Sequence, residues 1–167
     1  MYQLVHAGLL TTSYKEDAMF WKKKKKKEVE KAVKLLELYL TGSTVLLPGH
    51  ERTPNARAGL QVFILGMVDM LRQVQKVSWE DFLQIYKTVL DEQNLSPSVE
   101  IETFVDLIGK AASSNKPVEN VMILGAQSIQ RWVGERDANG PLDLIGAVKF
   151  ADNNADSFSG LARSAGT

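Results

Sequence analysis

Six consecutive lysines, Lys22, Lys23, Lys24, Lys25, Lys26 and Lys27, follow Phe20 and Trp21 in the stretch FWKKKKKKEVEK. An ammonium group is a compact point charge, suited to phosphate oxygens or carboxylates but lacking the planar fork with which arginine reads a base edge. The neighbouring rings, Trp21 above all, could stack on bases or rest at a lipid interface. Six helical residues turn through about 600°, so lysine would cover every face of this segment. It must therefore project into solvent or against an acidic partner. Nucleic acid is one candidate partner, bound with an affinity that falls as salt rises. An acidic protein surface, in this chain or in a neighbouring copy, is the other, and a membrane surface ranks below both.

The loop PGHERTPNAR holds a second set of functional groups. His50, Arg52 and Arg57 flank Thr53, which is placed to cap a helix beginning at Pro54. Free amides and the helix dipole at such a start favour a phosphate or carboxylate. The competing expectation is that these side chains only solvate the loop and cap its neighbours.

Catalytic chemistry has fewer materials. The chain has no cysteine, which excludes disulfides, thiolate nucleophiles and iron–sulfur clusters. Neither His6 nor His50 sits in a metal-ligand spacing, and no nucleophile elbow, HExxH or Walker loop occurs. Asp69, inside an otherwise apolar run, would matter if the fold set it beside another carboxylate, although Arg72 three residues on is its natural partner. Glu100 and Glu102 would matter on the same condition, with Asp69 the acid to watch. Asp152, Asn154 and Asp156 match the first positions of a calcium loop, but Ser157 stands where glycine is needed and Arg163 where a bidentate glutamate belongs. No cofactor or metal is expected.

These groups need elements to position them. At 167 residues one domain with one core is expected. Ser13-Tyr-Lys-Glu16 is a capping box, so a first helix should run from Ser13 to Leu40, with Gly42 closing it. Val29, Ala32, Val33, Leu36 and Leu40 form its apolar stripe, and extending that stripe backwards lands on Lys26, Lys22 and Met19. Ala56 to Val74 is apolar almost all round, as befits the central helix of a bundle, at about 54–75. Ser78 with Glu80 and Asp81 starts a third helix. Ser96-Pro97 opens a fourth that fades at Ser113-Ser114-Asn115. Pro117 opens a fifth, with Val121, Met122, Gly125, Ile129, Trp132 and Val133 on one side. Leu142 to Phe150 forms a sixth. The expected fold is all-α, a single-domain bundle of five to six helices, with an N-terminal arm at 1–12, the helical domain at 13–150 and a flexible polar tail at 151–167.

Formal net charge is zero, yet residues 1–41 carry nine lysines against five acids while the remainder carries eleven basic residues against fifteen acids. Residues 80–106 hold seven of those acids against Lys87 alone. The layout points to a cytoplasmic, non-enzymatic helical interaction protein. It would self-associate through its N-terminal region as a homo-oligomer, most simply a homodimer, or take another protein partner. A nucleic-acid-binding accessory protein using Lys22 to Lys27 is the alternative. A small enzyme or anion-binding protein with a site near His50, Arg52 and Arg57 is the third reading. No transmembrane segment is expected, since the longest apolar run, Leu60 to Leu71, is too short to span a bilayer.

Overall fold

The computed structural model describes residues 3–44, 53–136 and 139–167, with side chains except at 3–18, 20, 21, 25, 43, 44, 140 and 141. The fold is all-α, with seven helices among the described residues: α1 (Gln3–Thr44), α2 (Pro54–Gln75), α3 (Trp79–Glu92), α4 (Ile101–Ser114), α5 (Lys116–Glu135), α6 (Gly140–Asn153) and α7 (Ala155–Ala162). The expected count of five to six falls short by the last of these.

Local chemistry sets the α2 and α3 boundaries. The Thr53 hydroxyl accepts the Ala56 amide at 3.1 Å, and Pro54 occupies the first turn, where its missing N–H costs nothing. Lys76 ends α2 in the left-handed region and donates its amide to the Arg72 carbonyl. Ser78 then caps α3 by accepting the Asp81 amide at 3.2 Å, and Glu80 and Asp81 complement the helix dipole.

α2 is buried on nearly all sides from Ala56 to Val68 and packs against α3, α5, α6 and α7, which makes it the central helix that its composition predicts. Its closest partner is α5. A Cβ at Gly66 would overlap the Met122 carbonyl oxygen, and one at Gly125 would overlap the Phe63 carbonyl oxygen. The two backbones therefore touch at a crossing that only glycine on both sides permits. α1 joins the core through Ala32, Val33, Leu36, Tyr39 and Leu40. The Tyr39 hydroxyl pairs with Ser128 of α5, and its ring lies edge-on to Trp132 at 5.5 Å, so these buried hydroxyls are satisfied.

Four boundaries differ from expectation. α1 is already helical at Gln3 rather than starting at Ser13, because a capping box marks a helix start only where the preceding residues resist helix, and QLVHAGLL is rich in good formers. It also continues past Gly42 to Thr44. α4 starts at Ile101 rather than at Pro97, because residues 94–98 are bound elsewhere: the carbonyls of Asn94 and Ser96 accept from Arg57, and the Ser98 amide donates to the Ser164 carbonyl at 3.0 Å. Segment 151–167 is not a flexible polar tail. It completes α6 and forms α7, because Phe158 and Leu161 share one face of α7 and are buried, as is Ala165 just beyond it. Val133, expected on the packed side of α5, is 51% exposed at the end of that helix.

A clamp on α2 holds the C-terminal segment in place. Arg57 donates from Nε to the Ala165 carbonyl and from its terminal nitrogens to the carbonyls of Asn94 and Ser96, at 2.9 to 3.2 Å. Gln61, fully buried, donates its amide to both the Leu95 and Ala165 carbonyls. Its own backbone carbonyl accepts from Tyr86, and burial pushes that phenol above its ordinary pKa. Arg57→Met keeps the aliphatic stem and removes the donors. It is expected to lower the unfolding free energy by about 2 kcal/mol and to speed hydrogen exchange at the Ser98 amide. Unchanged exchange there would show that the clamp does not hold the segment.

Candidate functional site

Lys22, Lys26, Val29 and Val33 follow one another at intervals of four, three and four residues, so helical periodicity places them on one face of α1. That face looks across a groove of about 630 Å³ towards Asp81, Gln84, Thr88 and Glu92 of α3. The two helices run the same way: Val29 lies near Ser78 and Asp81 at the start of α3, and Glu37 is hydrogen-bonded to Glu92 at its end. Lysines line one end of the groove, two half-buried or buried valines form its middle, and a carboxyl pair closes the other end.

Among the described residues, the charges along the groove form no ion pair. Among the described residues, the ion pairs within 4.0 Å are Asp69–Arg72, Lys87–Asp91, Lys116–Glu119 and Arg131–Asp143. None uses Lys22, Lys26, Glu37 or Glu92. A hydrogen bond in which the protonated Glu92 carboxyl donates to Glu37, followed by desolvation and the repulsion of the Glu37 charge, raises Glu92 above the usual glutamate range. Glu92 therefore holds its proton more tightly than an isolated glutamate does.

Of the lysine run, Lys22, Lys23, Lys24, Lys26 and Lys27 are exposed, and of these five Lys22 and Lys26 line the groove. The side chains of Trp21 and Lys25 lie outside the described residues. The interruption of the apolar stripe at Lys26 and Lys22 is legible in the sequence. Glu37, Gln84 and Thr88 carry no comparable signal, since each is an ordinary polar residue on an amphipathic helix. Of the seven acids in 80–106, Asp81 and Glu92 face the groove.

The other candidate groups are placed differently. His50 and Arg52 lie outside the described residues. Arg57 is turned to three carbonyls, and burial lowers its pKa. Thr53, besides capping α2, donates its hydroxyl to the Asp152 carboxylate, so an anion of the chain itself stands at this helix start. Asp69 is bound by Arg72 at 3.2 Å and Gln73 at 2.8 Å. Asn154 sits at the α6–α7 junction, where its side chain donates to the Phe150 carbonyl. Among the described residues, no group of three or more His, Cys, Asp or Glu side chains could hold a metal, and no helix is long and apolar enough to cross a membrane.

The groove thus combines an apolar floor with charged and polar side chains of both signs. No family model matches the chain, and neither the curated proteins nor the solved structures that were searched contain a match.

Proposed function

We propose that this protein is a non-enzymatic helical interaction protein that self-associates through its N-terminal region, α1. One observation carries the reading: α1 runs on through the lysine segment, where Met19, Lys22, Lys23, Lys24, Lys26 and Lys27 are all exposed. From Met19 to Lys27 the helix rises about 12 Å. Helices in proteins draw most of their stability from packing one face, and this segment has lysines where the packed face would continue. A partner surface supplies what the core does not. The opposite charges along α1 and α3 favour a protein over a polyanion, which Glu30, Glu37, Asp81 and Glu92 would repel.

Sedimentation equilibrium of the full chain over a wide concentration range at low salt tests this. The expected mass rises with concentration to twice that of one chain. A mass that stays monomeric throughout overturns the reading. A labelled oligonucleotide in the same cells provides the competing outcome. Binding that falls steeply with salt and disappears when Lys22 to Lys27 become glutamine would assign the run to phosphate contacts instead.

A further inference from the structure

We propose that the groove between α1 and α3 seats α1 of a second copy of this chain, packed antiparallel about a two-fold axis near Val29 and Val33. The proposal rests on the self-association reading and specifies its surface, partner and register.

Charge placement selects this occupant. In an antiparallel pair of identical helices, facing positions have residue numbers with a nearly constant sum. Setting Lys26 opposite Glu37 of the second copy therefore sets Glu30 opposite its Lys34, within one residue, and two-fold symmetry repeats both pairings. All four side chains line the groove. A parallel pair would instead bring each residue against its own like, lysine on lysine and glutamate on glutamate. One register thus satisfies both kinds of charge, and the reverse orientation satisfies neither.

The geometry along the helix agrees. Lys26 and Glu37 are separated by about 16 Å of helix rise, and Val29 and Val33 lie between them. Val29 and Val33 flank the axis together with the Glu30–Lys34 pairings, and the Lys26–Glu37 pairings fall at the two ends. Lys22, one turn before Lys26 on the same face, extends the basic end over the partner's carboxyl pair. That pair, Glu37 with Glu92, has no cation within the chain at ion-pair distance among the described residues. The stems of Lys22 and Lys26 can cover the valines while their ammonium groups reach the partner's acids.

Reciprocal charge reversal separates this surface from self-association in general. Two full-length variants, Lys22→Glu/Lys26→Glu and Glu37→Lys/Glu92→Lys, are compared with the parent and with an equimolar mixture of the two, by sedimentation equilibrium at low salt. Each variant alone places like charges at both ends of the interface, and its dimer dissociation constant is expected to rise at least about tenfold. In the mixture both ends are complementary again, and the constant is expected to return to within about threefold of the parent. A variant that dimerises as the parent does, or a mixture that fails to recover, overturns the groove while leaving self-association standing. A monomeric parent overturns self-association itself. The single substitutions Lys26→Glu and Glu37→Lys repeat the design with one change per chain, so that a folding defect in a double variant cannot mimic loss of the interface.

Discussion

Gly125→Ala is expected to lower the unfolding free energy by about 3 kcal/mol, the upper end of the range for overpacking. Inside a helix the same change would ordinarily stabilise by up to about 1 kcal/mol. Its sign reverses here because the new methyl would meet the Phe63 carbonyl oxygen, part of a backbone that cannot swing aside as a side chain can. α2 and α5 must separate, and the core between them loosens. Gly66→Ala should cost as much, because it strikes the Met122 carbonyl at the same crossing. The double variant should cost less than the sum, since either methyl alone forces the helices apart. Gly109→Ala is the control: nothing lies within 4 Å of a Cβ there, and a gain of about 0.5 to 1 kcal/mol is expected. Urea unfolding at one fixed protein concentration reads all four. If Gly125→Ala and Gly109→Ala shift the midpoint in the same direction, the close crossing is wrong.

The second large effect is expected at Phe158. It is fully buried among the core residues, so Phe158→Ala should lower stability by about 3 to 5 kcal/mol through lost apolar burial and the cavity left behind. A residue in a frayed tail would give a shift near zero. The outcome therefore decides whether α7 belongs to the cooperative core, and circular dichroism at 222 nm during urea unfolding suffices to measure it. A single transition with an unchanged slope and a lower midpoint is the expected form.

The two effects mark how far local pattern carries. Gly125 is visible in the sequence as one position on the packed side of α5, and Gly66 as one residue in an apolar run. Neither shows that the two meet, because a backbone contact between helices separated by two others leaves no mark on either segment. Phe158 was hidden differently. The polar residues around it, Asp152 to Asp156 and then Ser157 and Ser159, resemble a solvated end, and three apolar positions are too few to outweigh them in a short window. They suffice in the fold because α2 already offers an apolar surface on which to lie.

What the sequence determined by itself is the all-α class, the central place of α2, the caps at Thr53 and Ser78, the Asp69–Arg72 pair and the lysines that interrupt the α1 stripe. Each rests on residues within about one or two helical turns of one another, where propensity, capping and periodicity act. Only the tertiary structure decided that α3 runs beside α1 with Glu92 against Glu37, that Arg57 binds carbonyls of the chain, that residues 94–98 stay out of helix and that α7 completes the core. Those outcomes depend on which surfaces meet across long stretches of chain, and the side chains concerned would look the same in the sequence had they met others.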